Sequence, residues 1–239
     1  MEQAERSAVR QGLAVSLAVS LDGITFGALA VAAGLDVWQA CVLSLVMFTG
    51  GSQFAFVGII ASGGVAAAPA GVVAALLLGL RNTVYAMRLS SIVGRGVLRR
   101  LGAAQLTIDE SIAVAVTQEE PRAQRVGFWV TGIAIFVGWN VATLAGALVG
   151  NLIGDVRDYG LDAAAACAFL ALLWPRLRSR QAIAVGVGAA VVATVATPYV
   201  MPGMQVLLAA IVAIVVGIFN LFAGGDTPFS GGDTRAVAR

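Results

Sequence analysis

The sequence contains no histidine, and all 15 of its basic residues are arginine, so lysine is missing too. The first absence removes a histidine zinc site, a Ser-His-Asp triad and a histidine proton relay. The second removes the Walker phosphate loop, G-x-x-x-x-G-K-[S/T], and that route to ATP hydrolysis. No GxSxG or HExxH occurs, so the chain does not read as an enzyme, and it calls for neither a cofactor nor a metal. Charge is scarce as well. Charged residues make up 12% of the chain and hydrophobic ones 59%, whereas an ordinary soluble domain carries about 25% charged residues. That is too little charge to coat a soluble surface. The net charge of +2 supplies no basic face for nucleic acid. Cys41 and Cys167 each lie in an apolar run, where cysteine acts as a small hydrophobe rather than half of a disulfide.

What is present is a series of apolar stretches. About 20 apolar residues suffice to cross a bilayer, and the pattern predicts an all-α polytopic membrane protein with about seven such segments. A short N-terminal cytoplasmic segment (1–10) leads into one transmembrane domain (11–222), and a polar tail (223–239) is expected to be disordered. Arg6 and Arg10 ahead of an apolar run resemble a signal peptide, but Asp22 interrupts that run and further apolar segments follow. The first helix is therefore expected over Gln11 to Gly34, interrupted near Asp22-Gly23. The second segment runs from Val37 to Ala61 and the third from Gly64 to Met87. A basic, loop-like stretch is expected from Arg88 to Ala103. Gln105 to Thr117 is too short to span and reads as re-entrant, partly buried or interfacial. Val126 to Val149 is a clear span. Leu161 to Trp174, Ala182 to Thr197 and Met204 to Phe222 complete the set. Trp38, Trp129 and Trp174 suit the interfacial aromatic belts.

Arginine sets the topology. The positive-inside rule places Arg88 to Arg100, and Arg176 to Arg180, on the cytoplasmic side. Arg6 and Arg10 ask for the same side. All are satisfied if Val37 to Ala61 dips into the membrane and returns, and if Gln105 to Thr117 does not cross. The rival is seven full crossings with the N-terminus outside. Leu21-Asp22 and Leu161-Asp162 each open an apolar stretch, which is too little to establish an internal repeat.

Three constellations stand out. Gly50-Gly51-Ser52-Gln53 sits in the middle of an apolar run. Two adjacent glycines weaken a helix by about 1 kcal/mol each. Such residues serve close helix packing, or they break the helix and offer free N–H groups to an anion. Arg81-Asn82 lies within the third segment. Arg81 either snorkels from a helix end or is held inside at a cost of roughly 3 kcal/mol or more. Asp109-Glu110 is either a helix N-terminus capped by Thr107, with Glu110 completing a capping box, or a proton-exchanging carboxylate pair. An ion pair between Arg81 and one of these carboxylates would reconcile the last two. Asp22 is a further candidate for proton coupling. Asn140, Thr143 and Asp162 read as helix caps or interface residues.

In order, the chain carries F-G-A-L-A (Phe26 to Ala30), F-T-G-G-S-Q-F (Phe48 to Phe54), L-R-N-T-V-Y-A-M (Leu80 to Met87) and I-D-E-S (Ile108 to Ser111). W-N-V-A-T-L-A-G-A-L-V-G (Trp139 to Gly150) and L-D-A-A-A-A-C-A-F-L (Leu161 to Leu170) follow. This order resembles the AzlC-type branched-chain amino-acid permeases, the large subunits of bacterial branched-chain amino-acid exporters, over roughly Leu21 to Arg180. The resemblance implies secondary export of valine, leucine and isoleucine, with methionine as a further candidate, across the inner membrane, and a small hydrophobic AzlD-type partner subunit. It assigns the family's glycine-serine-glutamine motif to Gly51, Ser52 and Gln53, its arginine to Arg81 and its acidic pair to Asp109 and Glu110. Two departures stand out. Asn82 replaces the usual histidine after the arginine, and Thr25 replaces a proline before Phe26. The first shifts attention from histidine to the carboxylates.

The expected mechanism is a proton-linked exporter. Gly50, Gly51 and Arg81 hold the substrate carboxylate, Ser52 and Gln53 orient it, apolar walls take the side chain, and Asp109 or Glu110 exchanges the proton; Asn82 is a further substrate-binding candidate. The alternative from another class is a passive pore, or a scaffold for a partner subunit, in which these residues only pack helices.

Overall fold

The computed structural model describes residues 3–94, 96–153, 170, 173–174, 177, 179–200 and 204–219. The chain divides into two compact units, Met1–Phe169 and Leu170–Arg239. All described secondary structure is helical. Three helical stretches, Gln3–Ala32, Val65–Val93 and Pro121–Leu152, are long and apolar enough to cross a membrane. The protein is an all-α, multi-pass membrane protein.

In the first unit, α1 (Gln3–Ser20) and α2 (Asp22–Ala32) meet at Leu21. The interruption expected at Asp22-Gly23 thus lies one residue earlier. The polar stretch ahead of Gln11 is continuous with the first helix. Then come α3 (Val37–Val46), α4 (Gly51–Gly63), a short 3-10 turn at Val65–Ala67 and α5 (Ala68–Val93). After these follow α6 (Val97–Gln105), α7 (Asp109–Val116) and α8 (Pro121–Ile153). The loop expected over Arg88 to Ala103 is instead mostly helix. Arg88 belongs to α5, while Arg99 and Arg100 sit on the strongly amphipathic α6.

Helices α1 and α2 run parallel to α8, as the order of their contacts requires. Ala8 lies against Gly127, Gly12 against Thr131, and Gly23 against Trp139. Further along, Gly27 touches Thr143 and Ala28 touches Gly150. The α2–α8 crossing is close enough that a Cβ on Gly27 would strike the Thr143 carbonyl oxygen, and one on Gly146 the Ile24 carbonyl oxygen. Only a residue without a side chain permits this approach of two backbones.

This parallel pairing gathers the arginines at one end. Arg6 and Arg10 open α1, and Arg122 and Arg125 open α8. The Arg125 Nε donates to the Ile92 carbonyl at 3.0 Å, bringing the end of α5 to the same level. Gln118 ahead of α8 donates to Gln11 at 2.9 Å. This is the end for which the positive-inside rule sets the expectation of a cytoplasmic location.

Between the long helices lie two helical hairpins that enter from opposite ends. The first, α3–α4, enters from the end away from the arginines. Its opening turn is held by a reciprocal Asp36–Gln39 capping box. The Ser44 and Thr143 hydroxyls meet at 3.2 Å, and the Phe48 and Phe136 rings meet edge to face at 5.0 Å, so α3 runs back down α8 to about its middle. There the chain turns, and α4 climbs beside α5, with Gly51 near Arg81 and Phe56 near Gly71. The second hairpin, α6–α7, enters from the arginine end. Gly102 reaches Trp129 and Leu106 reaches Gly132 on the way in, and Val114 lies against Gly127 on the way out. The two turning points lie beside Phe136 and Gly132, about 6 Å apart along α8 at a 1.5 Å rise per residue.

The sequence α3–α4–α5 is therefore repeated as α6–α7–α8 with inverted direction. Each repeat is a hairpin followed by one long helix. This answers the repeat question in a place the Leu-Asp pairs do not mark. It also shows Val37 to Ala61 dipping in and returning, as the arginine argument requires.

In the second unit, α9 (Arg180–Ala196) and α10 (Met204–Phe219) pack together. The Ser179 hydroxyl caps α9 by accepting from the Ala182 amide at 3.1 Å. The expected span over Leu161 to Trp174, Asp162 with it, and the tail from residue 223 lie almost wholly outside the described residues.

Candidate functional site

The two hairpin tips are built alike. Gly50 turns the first with φ +60, a left-handed conformation that favours glycine. At both tips the residue before the outgoing helix has its amide closed by a side chain three positions on. Gly50 N–H donates to Gln53 Oε1 at 3.2 Å, and Ile108 N–H donates to the Ser111 hydroxyl at 3.1 Å. Aligned on this device, Phe48-Thr49 matches Leu106-Thr107, Gly51 matches Asp109, and Gln53 matches Ser111. A hydrogen bond ties the tips together, from Gln105 Nε2 to the Leu45 carbonyl at 2.8 Å.

Arg81, halfway along α5, stands between the two outgoing helix starts. Its Nη1 pairs with Asp109 Oδ2 at 2.9 Å. A Cβ built on Gly51 would meet only its Nη2, at 3.5 Å. Arg81 is thus held inside rather than snorkelling out. The amides of the first turn of a helix have no intrahelical acceptor. Each helix N-terminus carries about +0.5 of an elementary charge. Two such termini and a guanidinium therefore converge, and Asp109 is the counter-ion.

Polar atoms without partners concentrate at the same place. Thr49 Oγ1, Ser52 Oγ, Arg81 Nε and Asp109 Oδ1 are all buried with no hydrogen bond among the described residues. Buried polar atoms are normally paired, and a cluster of exceptions needs an explanation. Ser52 itself is only 2% exposed. A groove of about 480 Å³ opens beside the first tip, lined among others by Met47, Thr49, Ser52, Val72, Gly79 and Thr83. Its outer edge is apolar, with Val46, Leu76 and Leu80 exposed.

The structure thus brings Gly50, Gly51, Ser52, Arg81 and Asp109 together. Glu110 follows Asp109 in the first turn of α7. Gln53 is placed differently from a ligand. It is fully buried, its oxygen takes Gly50 N–H, and its amide donates to the Ser44 carbonyl at 3.5 Å. It therefore clips the break shut. Asn82 is half-buried beside Arg81, and none of the described hydrogen bonds involves its side chain. Asp22 is exposed at the α1–α2 junction, and no described contact links it to Arg81 or Asp109. The Thr107–Glu110 capping box does not form. Thr107 bonds back to the Ala103 carbonyl at 2.6 Å, and Ser111 takes the capping role.

Three participants were not singled out from sequence. Tyr85 lies beside Asp109, and its only signal is a place one turn after Arg81 on the same helix face. Gln105 and Ser111 act through main-chain bonds, and nothing in their residue types announces this. Behind the tips, Phe26, Phe54 and Trp139 form an aromatic cluster, with centroids 5.6 to 6.2 Å apart.

The AzlC protein family matches residues 14–153, which contain both hairpins, α5 and α8 whole, and the first long helical stretch from Ala14 onward. An uncharacterized membrane protein of Archaeoglobus fulgidus is 31% identical over 201 residues, covering 80% of this chain and 86% of the relative. No solved structure matches. On the extent of the family match and of this likeness, the chain belongs to the AzlC family.

Proposed function

We propose that the protein is a secondary transporter that exports branched-chain amino acids, namely valine, leucine, isoleucine and also methionine, across the inner membrane. In this reading it is the proton-linked large subunit of a carrier completed by a small hydrophobic AzlD-type subunit. The carrying observation is the cluster of partnerless polar atoms where two half-helix N-termini meet Arg81. Fixed positive ends at the centre of a helical membrane protein favour an anionic substrate group. Here that group is the amino-acid carboxylate, seated on the Gly51 and Ser52 amides and Arg81 Nη2. Ser52 and Thr49 supply hydroxyls, and the apolar groove beside them accepts the branched side chain. Gln53 keeps the tip broken, and Asn82 borders the site. Asp109, with Glu110 next to it, exchanges the proton. The exposed apolar edge of the groove, at Val46, Leu76 and Leu80, is where the small subunit would lie.

The test is counterflow of radiolabelled leucine in proteoliposomes, with and without the small subunit. A carrier exchanges internal for external leucine, a pore equilibrates label without trans-stimulation, and a scaffold does neither. Absence of trans-stimulated exchange in both preparations would overturn the proposal.

A further inference from the structure

A second groove lies along α5 beyond Arg81, toward the arginine end, and its chemistry differs from that of the first. It measures about 270 Å³ and runs between α5 and α6, walled by Ala86, Leu89 and Val93 on one side and by Ala103 and Ala104 on the other. Helix α6 enters from the arginine end, so Gly94 marks the outer end of the groove and Thr107 its inner end. Its two hydroxyls are turned back onto the main chain. Ser90 donates to the Met87 carbonyl at 2.7 Å, and Thr107 to the Ala103 carbonyl at 2.6 Å. The groove thus presents carbon rather than free donors, which suits a hydrocarbon chain and not a polar solute.

Positive charge gathers at its outer end. Arg100 lines the groove, and a Cβ built on Gly94 would meet Arg99 Nη1 at 3.6 Å. Two consecutive guanidinium groups therefore border one groove. Arg88, Arg99 and Arg100 are all exposed, and none is paired with a carboxylate among the described residues. Glu5, Glu119 and Glu120 share this end of the protein, yet no described ion pair links them to these arginines. Uncompensated like charges this close favour a bound anion, and arginine matches a phosphate with paired N–H donors. On α6 itself, Val97, Leu98 and Leu101 are exposed beside the arginines. A basic helix with bare apolar side chains suits the boundary between lipid headgroups and acyl chains.

We infer that the groove between α5 and α6 is a binding site for an anionic phospholipid. The phosphate sits on Arg99 and Arg100, with Arg88 adding to the positive field, and one acyl chain lies in the groove against Leu89 and Val93. Both parts of the ligand are needed to account for the site. A soluble anion leaves the apolar groove empty, and a neutral chain leaves the guanidinium pair uncompensated. Basic pockets between membrane helices bind anionic headgroups in this way. The bound lipid braces α6 against α5, and so supports the hairpin whose tip leads into Asp109. The inference does not depend on the transport reading.

The experiment is native mass spectrometry of the full chain purified in detergent, offered phosphatidylglycerol and phosphatidylethanolamine with identical acyl chains at equal concentration. The wild type is expected to retain phosphatidylglycerol preferentially, by about tenfold, the worth of one hydrogen bond to a charged group. Arg99→Gln combined with Arg100→Gln should abolish that preference. Arg6→Gln combined with Arg10→Gln removes the same charge from the same end, on α1, and should keep it. Ala86→Leu, at an exposed position on the groove wall, should weaken retention with every arginine in place. Equal retention of the two lipids by the wild type, or equal loss from both arginine pairs, would overturn the inference. Displacement of phosphatidylglycerol by an equal concentration of glycerol phosphate would overturn it too, since that marks a plain anion site with no use for the groove. If the Arg99 and Arg100 variant is not recovered folded, the wild-type competition and the glycerol phosphate arm decide the point.

Discussion

Gly51 and Asp109 hold the same place at the starts of two inverted helices, and the guanidinium of Arg81 separates them. Where one repeat places a carboxylate, the other places a hydrogen atom. The predictions below follow from that relationship and from the packing that sustains it.

Gly51→Asp should fill the ligand side of Arg81 with a second protein carboxylate. Aspartate in the first turn of a helix contributes about 0.3–1 kcal/mol of stability, so the variant is expected to fold. Leucine counterflow should drop at least about tenfold, a loss of about 1.4 kcal/mol in substrate binding. Unchanged counterflow at normal expression would show that no carboxylate binds there.

Gln53→Ala should act on the fold before it acts on transport. The substitution leaves Gly50 N–H and the Ser44 carbonyl without the side-chain amide that serves both. Leaving the buried Ser44 carbonyl and the part-buried Gly50 amide unsatisfied costs about 1–3 kcal/mol. Thermal unfolding in detergent should shift down by several degrees. Full stability combined with lost transport would instead return Gln53 to the list of direct substrate ligands.

Two glycine-to-alanine changes should have opposite signs. A Cβ on Gly27 strikes the Thr143 carbonyl oxygen, whereas a Cβ on Gly79 meets nothing within 4 Å. Gly27→Ala should destabilise by about 1–3 kcal/mol through overpacking. Gly79→Ala should stabilise α5 by up to about 1 kcal/mol through helix propensity. Melting temperatures of the two variants, compared with the parent, read the difference directly. Equal shifts would contradict the close α2–α8 crossing.

Labelling from the two sides of the membrane tests the hairpins. In a chain with Cys41 and Cys167 replaced by serine, Arg99→Cys should react from the cytoplasmic side and Val65→Cys from the opposite side. A cysteine at Trp38, the exposed start of α3, should share the side of Val65. If Trp38→Cys and Val65→Cys label from opposite faces, α3 and α4 form a full crossing and the inverted repeat is lost.

Much was legible in the chain itself. Scarce charge and long apolar runs fixed a helical membrane protein, because a backbone in lipid must satisfy its own hydrogen bonds. Gly50-Gly51 marked the break, since no other residue tolerates φ +60 so cheaply. An arginine within an apolar run asked for a carboxylate, and the chain offered Asp109-Glu110. Other features resisted reading. The basic stretch that ends at Ala103 looked like a loop, because its arginines mask an amphipathic helix. Thr107 looked like a cap, because residue type cannot say that its hydroxyl turns back to Ala103.

The sequence alone determined the medium, the chemistry on offer and the point of weakness in the backbone, because composition and conformational preference are local properties. Only the tertiary structure decided that α3–α4 and α6–α7 descend from opposite ends and bring Gly51 and Asp109 to the two sides of Arg81. That meeting depends on the close parallel packing of α2 on α8 and on bonds such as Gln105 to Leu45, between residues 60 positions apart. No local pattern encodes a distance of that kind, since it is set by how whole helices fit together.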